Sequence, residues 1–294
     1  MLTDLSRYVY GTTRLGDEKI PFDERVGVAR AAIDAGVWMH TSDQYGQALQ
    51  VLKAAFDQDR SNVPPLIFKI GWESVEQVRE QILRQLEAVG LEKMAIGQLC
   101  PGGGLAEEVR KGGASIELLN ALKEEGLVGR YVLETWPWTS SVPLDALRAG
   151  HLHQLVEGLI FYLNPLQRFV TNELWDQVQT GNVDIVAMRT VGGGDVYRIR
   201  DHGPEYLRSR ATEVAPLFEQ SGCRTWTEFC VRFVYGVPQV CTTVGATGRK
   251  ENLAEFLSST RDPQPLPEPI QQVLLKLQRR WSDEHDRHAE PWSM

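Results

Sequence analysis

Positive charge is scarce in this chain. Its 294 residues carry 31 lysines and arginines against 39 aspartates and glutamates, a formal net charge of −8. No basic stripe is available to grip a phosphate backbone, which excludes nucleic acid as a partner. Long apolar runs are missing too, and nothing approaches the roughly 20 residues of a membrane helix. The first residues, Met1 to Arg7, lack the basic and apolar regions of a secretory signal, so a cytoplasmic protein is expected. Cysteine is sparse: Cys100, Cys223, Cys230 and Cys241 form no CxxC pair and no ligand cluster. They read as reduced core residues, with no disulfide framework and no metal site implied. A GxGxxG turn after the first strand is also absent, which argues against an open dinucleotide-binding sheet.

What is present is alternation. Hydrophobic residues make up 42% of the chain and charged residues 24%, enough for one folded domain over 1–294. Strand-like runs at Tyr8–Gly11, up to His40, Leu66–Phe68, Ala95–Cys100, Arg130–Leu133, Leu155–Tyr162, Asp184–Met188 and Val240–Val244 alternate with helical patterns. The clearest helix has Ser74 as N-cap with Gln77 three residues on, then Val75, Val78, Ile82, Leu83, Leu86 and Val89 on one face, and stops at Gly90. A glycine-rich loop, Pro101 to Gly104, follows the fourth strand. Eight parallel strands with helical crossovers predict a single (β/α)₈ TIM barrel. Residues 262–294 form a proline-rich linker and a C-terminal extra helix with Ile270, Val273, Leu274, Leu277 and Trp281 on one face.

The chemistry centres on Trp38-Met39-His40-Thr41-Ser42-Asp43-Gln44-Tyr45-Gly46, where an apolar run turns polar. In a barrel of this type the C-terminal strand ends carry the active site. This stretch resembles the Asp-Thr-Ala-x-x-Tyr-Gly signature of the aldo-keto reductases, with His40 at the position of the aspartate. The resemblance continues in order along the chain. It includes Tyr10-Gly11-Thr12, Phe68-Lys69-Ile70-Gly71, Met188-Arg189-Thr190-Val191-Gly192-Gly193-Gly194 and Val244-Gly245-Ala246-Thr247, the last followed by Glu251-Asn252-Leu253.

The resemblance implies an NAD(P)(H)-dependent oxidoreductase acting on a small carbonyl or alcohol. In it Tyr45 is the general acid/base, and Lys69 tunes a phenol whose ordinary pKa is about 10. His40 replaces the lysine's aspartate partner, a role Asp43 could partly assume. Cys100 stands where the family has histidine, either as a thiol activated by Lys69 or as a buried small residue. Glu134-Thr135 replaces the Ser-Asn pair that holds the nicotinamide carboxamide. Ile160 replaces a glutamine, and Asn164 follows. Arg189, Gly192, Gly193, Gly245, Thr247, Arg249 and Lys250 are the implied contacts to the phosphates of NADP, with NAD as the other possible cofactor.

From the residues alone, Tyr45 could be a packing aromatic and Lys69 a snorkelling surface lysine. Two further functions fit the same residues. One is a redox-neutral dehydratase, isomerase or lyase using His40, Tyr45 and Lys69, and the other is a non-catalytic descendant of the family. Trp136-Pro137-Trp138 could wall an apolar pocket or simply pack a loop. His151, His153, His285 and His288 lie away from the expected strand ends.

Overall fold

The computed structural model describes residues 2–71, 75–101, 106–107, 109–110 and 114–286. Ser74, Gly102–Gly104, His288 and the side chain of His285 lie outside them. Among the described residues the strands are β1 (Tyr8–Gly11), β2 (Trp38–Thr41), β3 (Leu66–Gly71), β4 (Met94–Cys100), β5 (Val128–Glu134), β6 (Gly158–Asn164), β7 (Gln167–Arg168), β8 (Asp184–Met188) and β9 (Val240–Ala246). They pair in the order β5-β4-β3-β2-β1-β9-β8-β6-β7, and β5 also pairs with β6. That last contact closes eight parallel strands into a barrel. The two-residue β7 runs antiparallel to β6 outside the cycle.

Residue parity sorts the core into two bodies. Val9, Trp38, Ile67, Ile96, Val132, Ile160, Val186, Met188 and Val244 pack together inside the barrel. The alternate residues, among them Tyr8, Met39, Phe68, Leu99, Leu133, Phe161 and Ala187, pack outward beneath the helices. Such two-sided burial is why these strands read as nearly continuous apolar runs. Leu2 and Leu5 join the interior cluster, and the Leu2 backbone N–H donates to Asp184 Oδ2 at 2.6 Å. Strand period 2 then decides the polar positions: His40, Lys69, Gln98, Cys100 and Glu134 share parity with the interior residues of their own strands.

Several local expectations need correction. Leu155 belongs to a helical turn, Leu152–Leu155, because the Val156 N–H bonds back to the Leu152 carbonyl; the strand starts only at Gly158. The segment after β5 contains the helix Ser141–Arg148, which keeps Pro143 in its first turn, where no intrahelical N–H bond is lost. Leu83, expected on a buried face, is 46% exposed, because it sits about 100° around the helix from the buried Ile82. Val273 is likewise exposed.

The helix Glu268–Trp281 fastens onto the C-terminal end of β6 and the segment that follows it. Gln278 donates to the Asn164 carbonyl at 2.7 Å and Ser282 to that of Val170 at 3.1 Å. Arg210 and Asp286 form a buried ion pair at 2.5 Å, with the guanidinium over the rings of Tyr206 and Trp281. Removing one partner strands the other charge in a dry site. Asp286→Ala is therefore expected to destabilise the fold by roughly 3–5 kcal/mol, measured as a drop in urea midpoint.

Candidate active site

The C-terminal end of the barrel brings Tyr45, Lys69, His40, Cys100 and Glu134 into one electrostatic cluster. Lys69, from β3, reaches across the mouth to Glu134, from β5, with Nζ 3.0 Å from Oε1. The lysine side chain is 18% exposed and the glutamate 3%, so the pair is largely dry. Burial alone would depress the Lys69 ammonium, but Glu134, by its charge and its hydrogen bond, leads the groups that outweigh it and hold the pKa above its ordinary value. Lys69 is therefore protonated at neutral pH.

The sequence reading gave Lys69 a different neighbour. His40 Nε2 lies 2.6 Å from Gln98 Oε1, not on the lysine. Desolvation, with help from the nearby Lys69 charge, lowers the His40 pKa from 6.5 to about 4, so the imidazole is neutral and donates to the Gln98 oxygen. Asp43 does not take over either. Its carboxylate faces away to Arg84 at 3.2 Å and to Gln81. The charge partner is Glu134 on β5, 65 residues further along the chain, which is why the local motif does not show it.

Tyr45 rides on a tight turn. Its N–H donates to the Ser42 carbonyl at 3.2 Å, and Gly46 completes the turn at φ +51°. The turn lies directly on Gly16, where a Cβ would stand 1.9 Å from the Tyr45 carbonyl oxygen. The tyrosine ring is 6.2 Å from that of His40. Burial raises the phenol pKa, Lys69 lowers it, Glu134 raises it again, and a hydrogen bond with the Thr13 side chain lowers it; the balance lies above the ordinary value. Cys100 is pushed far up, first by burial and then by the Glu134 carboxylate, so it is a thiol. Lys69 does pull it down, but burial and Glu134 outweigh that pull.

The other half of the mouth is built from loops. After β8, Arg189 adopts a left-handed φ of +53°, followed by Gly192, Gly193 and Gly194 at +66°, +97° and +156°. The Arg189 carbonyl accepts from the Gly192 N–H at 2.8 Å and from Asn164 Nδ2 at 3.0 Å, while Asn164 Oδ1 accepts from the Leu166 N–H. Asn164 thus braces this loop. Ile160 faces the apolar barrel interior. Gly245 leaves room for the Phe256 ring, which a Cβ would meet at 2.6 Å. The Thr247 hydroxyl accepts from the Arg249 N–H at 3.1 Å, and Arg249 and Lys250 stand exposed at the start of the helix Lys250–Thr260. Trp136 and Trp138 stack on each other at 5.5 Å, both meet Phe169 edge-on at 5.7 Å, and Trp136 meets Tyr162 edge-on at 4.8 Å. Trp138 is 49% exposed. The Arg189 guanidinium covers Tyr162 at 5.0 Å.

Among the described residues no group of His, Cys, Asp and Glu could hold a metal, and no helix is long and apolar enough to cross a membrane. Two residues escaped the sequence reading. Gln98 lies two positions before Cys100 and shares its parity. Gln85 interrupts the apolar stripe of its helix between Ile82 and Leu86 and is fully buried.

His40 makes stability depend on pH. The unfolded chain takes up a proton below 6.5, whereas the folded imidazole resists protonation until about 4. Stability is therefore complete above pH 6.5 and falls as pH drops toward 4, by up to about 3 kcal/mol. Urea titrations across this range are expected to show that loss, and His40→Gln to remove it.

No family model and no curated protein matches the chain. Solved structures do. An aldo-keto reductase from Bacillus halodurans, in its holo form, superposes with a TM-score of 0.75 at 20% identity, covering 97% of this chain and 96% of that one. An aldo/keto reductase from Klebsiella pneumoniae in complex with NADP and acetate gives 0.70 at 14% identity, covering 94% and 92%. The chain has the (β/α)₈ barrel fold of the aldo-keto reductases.

Proposed function

We propose that the chain is a divergent aldo-keto reductase, an NAD(P)(H)-dependent oxidoreductase acting on a small carbonyl or alcohol. The observation that carries this reading is the buried Lys69–Glu134 pair beside Tyr45. A lysine–carboxylate couple tuning a phenol is what the chemistry needs, and Glu134 supplies the carboxylate that position 40 lacks.

The residues present fit such a cofactor at both of its ends. The exposed cations Arg249 and Lys250 at a helix N-terminus suit a phosphate, and the left-handed glycines 192–194 let the backbone approach one. Similarity to a protein solved with NADP adds weight to this end of the site. At the nicotinamide end Glu134 still offers a carboxylate oxygen to a carboxamide N–H₂. A reduced nicotinamide, when bound, supplies a hydride for a carbonyl carbon.

Tyr45 donates its phenolic proton to the carbonyl oxygen as negative charge grows there. Lys69 then stabilises the phenolate that remains. Because the Tyr45 pKa lies above 10, the group keeps its proton through neutral pH and favours the reductive direction. His40 is neutral and fixes Gln98, so it acts as support for the site.

A second reading has one observation in its favour: Glu134 replaces a neutral amide-binding residue with a carboxylate paired to Lys69. In a redox-neutral dehydration or isomerisation, the protonated Lys69 held by that pair would hydrogen-bond a developing oxyanion. Substrate consumption with no change in nicotinamide absorbance would select it.

Titration with NADPH is expected to quench the tryptophan fluorescence saturably, and absence of quenching at millimolar cofactor would overturn the oxidoreductase reading. With turnover established, Tyr45→Phe is expected to lower kcat by about 10²–10⁴-fold. The carbonyl-reduction rate should stay flat through neutral pH and fall only above about pH 10. Glu134→Gln removes the charge that raises both Lys69 and Tyr45, so this alkaline limb should move to lower pH.

A further inference from the structure

Gln85 is a fully buried amide in the middle of the helix Val75–Val89. It occupies a face that otherwise carries Val78, Ile82, Leu86 and Val89. An apolar side chain would fill that space without needing partners, so the amide calls for an explanation. Its Nε2 donates to the backbone carbonyl of Lys69 at 2.9 Å, and its Oε1 accepts from the backbone N–H of Asp43 at 3.2 Å. One side chain thereby bridges the strand that carries the lysine and the turn that carries the tyrosine. Asp43 lies inside the Ser42–Tyr45 turn, so a shift at its N–H moves the hydrogen bond from Tyr45 to Ser42. Gln81 and Arg84 of the same helix hold the Asp43 carboxylate from outside; Gln81 lies close to Gly71 at the end of β3, but among the described residues neither side chain hydrogen-bonds to that strand.

We propose that Gln85 is a positioning residue that sets the separation between the Tyr45 phenol and the Lys69 ammonium. It touches neither substrate nor cofactor and acts through two backbone groups. The tuning of Tyr45 depends on that separation, because the attraction between phenolate and ammonium varies inversely with distance and is strong in a dry site. Losing the bridge lets the turn and the strand end drift, and it leaves two buried backbone groups to find other partners.

The kinetic arm of the test rests on the oxidoreductase reading, and the titration arm does not. Gln85→Met keeps the volume and removes both bonds. With a carbonyl substrate and NADPH, it is expected to lower kcat at least tenfold while KM and cofactor quenching stay within twofold. The alkaline limb of the rate profile should move to higher pH as Lys69 loses its hold on the phenolate. Independently of turnover, phenolate absorbance is titrated in Gln85→Met and in its Tyr45→Phe double variant. The difference curve should show the Tyr45 midpoint above that of the parent protein. A folded Gln85→Met with an unshifted midpoint overturns the proposal, whatever reaction the barrel performs. Where Gln85→Met fails to fold, Gln85→Asn adds no charge and keeps a neutral amide one methylene too short to span both backbone groups, and it is judged by the same midpoint.

Discussion

An ammonium and a carboxylate held 3.0 Å apart in the dry mouth of a barrel constrain everything around them. The pair is neutral overall, but each of its charges governs a neighbour. Lys69 discourages protonation of His40, whose imidazole is already disfavoured as a cation by burial. Glu134 discourages ionisation of Tyr45 and Cys100, which burial also keeps protonated. Three titratable groups are thus frozen in their neutral forms around one ion pair. A second carboxylate at position 40 would leave the mouth with excess negative charge. Without Glu134 the lysine would be a bare buried cation, which proteins avoid by releasing the proton. Histidine at position 40 and glutamate at position 134 are therefore coupled choices.

Part of this was legible before the fold was known, because strand-end position needs only local sequence. His40 was expected at the end of the second strand and Lys69 just after the run Leu66-Ile67-Phe68, and they lie near the ends of β2 and β3. The sequence also showed both halves of the ion pair, a lysine short of a counter-ion and a carboxylate in need of a partner. It could not join them. β3 and β5 are separated by β4, about two strand spacings or 9–10 Å between backbones. Only closure of the sheet brings such side chains together. An adjacent strand would be served by the short side chain of aspartate, whereas a strand two places away needs the extra methylene of glutamate and the full reach of lysine. Asp43 was favoured by proximity in sequence, yet its turn points outward to the helix bearing Gln81 and Arg84.

Buried amides escaped notice for a related reason. Gln85 and Gln98 carry no charge and belong to no motif, so their positions drew attention only once their burial was known. Periodicity does mark Gln85 as an anomaly, a polar residue on the side of a helix that packs inward. The same holds for Gln278, whose amide reaches the Asn164 carbonyl from a helix at the far end of the chain. A polar residue on an otherwise apolar stripe is better read as a tie to some distant backbone group than as noise in the pattern.

These ties divide the mouth into two halves that are stiffened differently. On the side of β2 to β5, side chains converge: Gln85 grips two backbones, His40 grips Gln98, and Lys69 grips Glu134. A proton transferred there needs donor and acceptor fixed to a fraction of an ångström, and long-range side-chain bonds provide that. On the side of β6 to β9, backbone turns dominate, with glycines in left-handed conformations and Asn164 holding the Arg189 carbonyl. Such a surface suits an extended ligand that touches the backbone at many points. The C-terminal helix bonds to the second half through Asn164 and, among the described residues, makes no hydrogen bond to the five side chains of the first cluster. Changes in that helix should therefore act on the loops after β8 and β9 before they reach the phenol. Under the proposed function, activity and cofactor affinity would then be separable properties of one barrel.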